Sequence, residues 1–133
     1  VSFLLDTNIL SAYLKHSRKV AHRFVQHSGG LYTSSVALGE LYTWAFRVPT
    51  PSARLSAIDV MIRDDISSMQ FDDECARRFG WEKNNLRRRG IGISPVDLQI
   101  ACVALVYDLT LVTNNTADFV NISGLRIEDW LTP

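Results

Sequence analysis

VSFLLDTNILSAYL, residues 1–14, contains a single charged side chain, Asp6. The segment before it, SFLL, has continuous rather than alternating apolar residues, the mark of a strand covered on both faces. From about Asn8 to Gln26 the pattern is helical, with a break near His16–Ser17. A doubly covered strand running into a helix implies a parallel α/β sheet, and the remaining sequence repeats that alternation. GGLYTSS supplies a turn, a short strand and helix-capping residues, and Leu38, Leu41, Tyr42 and Ala45 then follow helical spacing. VPTPS ends this helix and starts another over about Ser52–Arg63. ISSMQF reads as a third strand, followed by a charged helix from Asp72 toward Arg89. GIGISP breaks the chain, and Ser94 with Pro95 opens a helix to about Tyr107. LTLVT is a fourth strand and LRIEDW a candidate fifth. The expectation is one α/β domain over residues 1–133, with a parallel sheet of four to five strands and helices on both faces. In such sheets ligands gather beyond the carboxyl ends of the strands, where Asp6 stands.

Composition narrows the classes. With 133 residues, 47% of them hydrophobic, the chain can bury a proper core. Its 14 acidic and 14 basic residues balance, so net charge points to no class of partner. Cys75 and Cys102 match no metal or redox spacing, and Cys102 lies in the apolar run IACVALV, as a core thiol in a reducing compartment would. No apolar stretch approaches the roughly 18–20 residues of a membrane span, and the expected location is the cytoplasm.

Asp6 is not alone in its isolation. Among Asp, Glu, Lys, Arg and His, Glu40 is the sole member between Ser28 and Phe46, Asp97 between Gly90 and Tyr107, and Asp118 between Leu109 and Leu125. Burying an ionised carboxylate without a partner costs several kcal/mol, roughly, even after relaxation. Each acid also has an ordinary structural reading. Asp6 can cap the following helix, Asp97 completes a capping-box-like SPVD, and Asp118 in NTADF suits a turn. Glu40 is harder to explain that way, because Val36, Ala37 and Trp44 make its side of the helix apolar. If the acids converge at one sheet edge, they must be protonated or share a cation. A hard divalent ion, Mg²⁺ or Mn²⁺, suits such oxygen donors. His16, His22 and His27 lie early in the chain and apart from the acids, which argues against zinc.

These segments resemble the PIN-domain ribonucleases, and among them the VapC-type toxins of toxin–antitoxin pairs. LLDTNILSAYL is similar to that family's first strand and helix, SSVALGELYTWA to its Glu-Leu helix, GIGISPVDLQIACVAL to its third acidic motif, and LVTNNTADFVNISGLRIEDW to its closing segment. The resemblance covers nearly the whole chain and is weakest over the middle helices. It implies Mg²⁺-dependent endonucleolytic cleavage of RNA, with Asp6, Glu40 and Asp97 as catalytic and metal-holding acids. Asn8, Thr113 and Asn115 match its supporting polar positions. Many family members carry an acid where this chain has Asn115, so either Asp118 supplies a fourth catalytic carboxylate or the site works with three. The resemblance further implies a homodimer, inhibition by a cognate VapB-like antitoxin, and operator DNA bound only through that antitoxin.

Positive charge is concentrated: six of the 14 basic residues fall between Arg77 and Arg89. On charge alone this is a solvated helix face salted with Glu82, and Glu74 is placed to reach Arg78 across one turn. Arg87, Arg88 and Arg89 immediately precede the loop to Asp97, which makes them candidates for RNA phosphate contacts. Two other strand-end-Asp enzymes or switches fit poorly. A haloacid-dehalogenase-type phosphatase needs a second Asp where Asn8 stands, and a receiver domain needs an acidic pair and a strand-end Lys. The alternatives that remain are a PIN-like module that binds RNA or antitoxin with weak or no hydrolysis, and a nuclease of the same family acting on DNA.

Overall fold

The computed structural model describes residues 1–132. Its five strands are β1 (Phe3–Leu5), β2 (Leu31–Ser34), β3 (Ser67–Met69), β4 (Thr110–Val112) and β5 (Ile127–Glu128). The helices are α1 (Thr7–Leu14), α2 (Arg18–Gln26), α3 (Ser35–Ala45), α4 (Ser52–Asp64), α5 (Asp73–Arg88) and α6 (Pro95–Val106), with a 3₁₀ turn over Thr116–Asp118. All strand pairs are parallel and the order is β3-β2-β1-β4-β5. The chain therefore builds outward from β1 to β3, then returns to lay β4 on the opposite side of β1. The reversal opens a crevice between the carboxyl ends of β1 and β4, the usual ligand position of open α/β sheets.

Local sequence explains the element boundaries. The expected break after α1 is real: His16 adopts a positive φ of 64°, and Ser17 caps α2 by accepting from the Val20 N–H. Ser34 caps α3 and Asp72 caps α5, each accepting from the N–H three residues on. Ser94 does the same for α6 from the Asp97 N–H, with Pro95 in the first turn.

The pleat divides the core between the two faces. Phe3, Leu5 and Val112 pack with Ile9, Leu10, Val20, Phe24, Leu41 and Ile58. Leu4 and Leu111 pack on the other side with Leu86, Leu98, Ala101 and Phe119. Helices cover both faces, as the apolar strands require. Cys75 and Cys102 are both free and buried among α5 and α6, and burial raises their thiols to about 11 and about 12, so they are inert core groups.

The structure corrects one reading of α5. Glu82 is not part of a solvated face; it is 1% exposed and accepts from Arg78 Nε at 2.7 Å. Arg78 thus pairs with the residue four positions on rather than with Glu74. Packing of α5 against α6 buries this side of the helix, and an i,i+4 guanidinium is the nearest counter-charge that can follow Glu82 inward.

Candidate active site

The acids meet at the crevice between β1 and β4. Asp6 follows β1 directly, and its N–H donates to Val112 O at 2.9 Å, which fixes the spacing of the two strand ends. The Asp6 side chain is 4% exposed. Its Oδ1 accepts from the Thr7 N–H at 2.8 Å, so it does cap α1, while Oδ2 accepts from the Thr113 hydroxyl at 2.7 Å and from Asn8 Nδ2 at 3.4 Å. The capping and site roles coexist because a carboxylate has two oxygens to offer.

Glu40 arrives from the second turn of α3. It is exposed at the crevice, and its Oε1 accepts from the Thr7 hydroxyl at 2.6 Å. Asp97 projects from the first turn of α6, half-buried. Asp118 lies at the end of the 3₁₀ turn after β4 and is exposed. Their mutual influence shows that they share one region. Burial raises the Asp6 carboxyl above its usual value; the bonds from Thr113 and Thr7 pull it down, and the charges of Asp97 and Glu40 push it further up. Asp97 is raised by burial first, and then by the charges of Asp118 and Glu40. Asp6 thus feels Asp97 and Glu40, and Asp97 feels Asp118 and Glu40, so four acids widely separated in sequence gather at one sheet edge.

Nothing basic among the described residues answers them. The ion pairs there are Arg63–Asp64, Arg78–Glu82 and Arg126–Asp108, and none includes the four acids. Nor, among the described residues, do three His, Cys, Asp or Glu side chains close into a ready-made metal cage. The acids are near enough to repel yet open, a donor set that fits an octahedral hard ion that keeps most of its waters and takes few carboxylates directly.

The polar residues divide by role. Asn8 Nδ2 also reaches Thr113 Oγ1 at 3.3 Å, and Asn8 Oδ1 accepts from the Asn114 N–H at 3.0 Å. Thr113 is fully buried and holds Asp6. Asn115 supports the site through its backbone: its N–H donates to Thr113 Oγ1 at 3.1 Å, while the residue itself is exposed. Arg87 and Arg88 are exposed at the end of α5, and Arg89 Nη1 donates to Asn121 O at 2.9 Å, tying that end to the loop after Asp118. Sequence reasoning missed Thr7 and Asn114. Thr7 stands beside Asp6 in DTN, and an N1 hydroxyl next to a site acid was the available signal. Asn114 acts by its backbone and left none.

Comparison with known proteins gives the family. The PIN domain family model matches residues 3–125. The chain is 35% identical over 131 residues to the tRNA(fMet)-specific endonuclease VapC of Shigella flexneri, covering 98% of each. It is 30% identical to the ribonuclease VapC2 of Haemophilus influenzae, covering 98% of this chain and 99% of that one. Among solved structures, DNA-bound VapBC from Salmonella typhimurium superposes with a TM-score of 0.91 at 31% identity, covering 98% of both chains. VapBC2 from Rickettsia felis, bound to a fragment of its promoter, gives 0.90 at 26% identity, covering 98% and 99%. With the acids assembled at the β1–β4 crevice and the likeness running end to end, this chain belongs to the PIN-domain family, in its VapC-type branch.

Proposed function

We propose that this protein is a Mg²⁺- or Mn²⁺-dependent endoribonuclease, the toxin of a toxin–antitoxin pair, and that it hydrolyses phosphodiester bonds in transfer RNA. The observation that carries this reading is the cluster of four acids at the β1–β4 crevice, with no cation paired to them among the described residues. Asp6 and Asp97 would hold the ion directly, and Glu40 directly or through water, with Asp118 as the fourth carboxylate beside Asp97. The chemistry such an ion would supply there is positive charge for the phosphoryl oxygens and a more acidic water.

The chain's own groups do the positioning. Thr113 and the Thr7 N–H fix the orientation of Asp6, and the Thr7 hydroxyl fixes Glu40, so both carboxylates present defined oxygens to the crevice. Glu40, the exposed member, is placed to orient a water and accept its proton. Without an ion the acids repel a polyanion, which links RNA binding to metal binding. Arg87 and Arg88 contact phosphates of the RNA on the α6 side, and Arg89 steadies the loop that carries Asp118. The protein acts in the cytoplasm as a homodimer. A VapB-like antitoxin restrains it by offering the acids a basic side chain in place of the ion, and operator DNA is bound by that antitoxin rather than by this chain.

The test is cleavage of purified transfer RNA by the intact protein with Mg²⁺, with a chelator, and with Asp97→Asn. Metal-dependent cutting that falls at least about 100-fold in the variant is expected, since even outer-shell changes at metal sites cost 10–100-fold. RNA that is shifted in a gel but left whole in Mg²⁺ would make the protein a binding module instead.

A further inference from the structure

Arg87 and Arg88 are exposed at the end of α5. A second set of basic-type side chains, Lys19, His22 and Arg23, lines a groove of about 290 Å³ together with Asp129, Trp130 and Thr132. The three basic-type residues stand at i, i+3 and i+4 on α2 and so share one helix face. None of them is in an ion pair among the described residues. The one acid in the groove is Asp129: burial raises its carboxyl, but bonds to Oδ1 from the N–H groups of Leu131 at 2.9 Å and Thr132 at 3.2 Å, together with the Lys19 charge, hold it below its ordinary value, so a phosphate must compete with it for Lys19.

The groove is built rather than incidental. Its Trp130 indole is 4% exposed, donates from Nε1 to Glu128 Oε1 at 3.1 Å, and stacks against the His27 ring at 5.6 Å. The Arg23 guanidinium lies 5.7 Å over that indole, which holds its charge in place. Lys19 Nζ is steadied by Leu131 O at 3.4 Å. The groove also connects to the acids. The Thr132 hydroxyl donates to Asn114 Oδ1 at 3.2 Å, the Asn114 N–H donates to Asn8 Oδ1 at 3.0 Å, and Asn8 Nδ2 reaches Asp6 Oδ2. Three hydrogen bonds separate the rim of the groove from the first carboxylate.

We propose that this α2–Trp130 groove is a phosphate subsite for single-stranded RNA, holding the strand where it leaves the acids. The inference rests on the nuclease reading above. Charge is the reason for it. A strand crossing four acids is repelled there and must be gripped beside them, and in a chain of net charge zero the groove joined to Asp6 by three hydrogen bonds gathers basic side chains for that grip. Lys19 and His22 supply the phosphate contacts; Arg23, packed on Trp130, sets the field of the groove.

The experiment uses the full chain with its acids intact, in Ca²⁺ rather than Mg²⁺, and a gel run alongside verifies that the RNA remains uncut. Binding of a labelled single-stranded RNA oligonucleotide is followed by anisotropy over a range of NaCl concentrations, with and without the added pair Lys19→Gln and His22→Gln. Thermal melting verifies that the fold is retained. The subsite predicts at least about fivefold weaker binding and a shallower salt dependence, by about 0.7 for each phosphate that the variant no longer neutralises. Lys19→Glu with His22→Glu deepens the loss. Unchanged affinity and salt slope in the folded variants overturn the subsite. So does intact RNA binding accompanied by loss of a co-purified antitoxin, which would make the groove a protein-docking surface. Failure of the nuclease reading shows separately, as undiminished RNA cleavage by Asp97→Asn or as no cleavage by the parent.

Discussion

Asp6 and Glu82 are both buried carboxylates, and the molecule treats them in opposite ways. Glu82, between α5 and α6, has its own guanidinium at 2.7 Å, supplied from one helical turn away. Asp6, at the β1–β4 crevice, has hydroxyl and amide donors but no cation among the described residues, and the charges of Asp97 and Glu40 bear on it as well. A structural acid is neutralised within the fold. An acid left among other acids is an opening for something the chain does not carry, and this contrast is the physical content of the metal-site proposal.

The comparison breaks most visibly at Arg78. Arg78→Met leaves Glu82 buried and uncompensated, with Oε1 already lacking a partner, and should lower unfolding free energy by about 2–3 kcal/mol, somewhat less than a fully buried pair because Arg78 is partly solvated. Adding Glu82→Leu should recover most of that loss in chemical denaturation. Were the single variant as stable as the parent, Glu82 would not be held by its cation.

A smaller effect is expected on the site side. Thr7→Val removes the hydroxyl that fixes Glu40 while keeping size and helix position, and should reduce metal-dependent RNA cleavage about tenfold with little change in melting temperature. Restoration by Thr7→Ser would show that the hydroxyl is what matters.

The smallest effect concerns pH. Asp6 and Asp97 have carboxyls raised above their ordinary value of 3.8, so between that value and the raised ones the folded state binds more protons than the unfolded state. Stability of the metal-free protein therefore falls as pH rises through that window. Both carboxyls contribute with the same sign, Asp6 from a buried position and Asp97 from a half-buried one. Melting curves from about pH 4 to about pH 7 in chelator, repeated in Mg²⁺, test the sign, with the ion offsetting the loss at the upper end.

How far the sequence carried depends on the range of the interaction. β1 and β4 were legible because burial on both faces demands continuous apolar runs, while the edge strands β3 and β5 are partly exposed and were marked by alternation with helices; the caps at Ser17, Ser34, Asp72 and Ser94 sharpen helix starts that local chemistry sets. The acids were legible as isolated charges, and their convergence follows once β1 and β4 are neighbours. Glu82 was misread because its burial depends on the packing of α5 against α6, which a charge pattern along one helix does not reveal. Thr7 with Glu40 joins residues 33 positions apart, and Asn114 and Asn115 act through N–H groups, which side-chain identity cannot disclose.

The most direct measurement is calorimetric titration of Mg²⁺, or of Mn²⁺ with its magnetic resonance signal, into the metal-free protein and into Asp97→Asn. A divalent-ion site at the acids gives saturable binding to the parent, accompanied by proton release at acidic pH as the raised carboxyls give up their protons, and binding that is strongly weakened in the variant. Absence of saturable binding, or equal affinity in the two proteins, would contradict it.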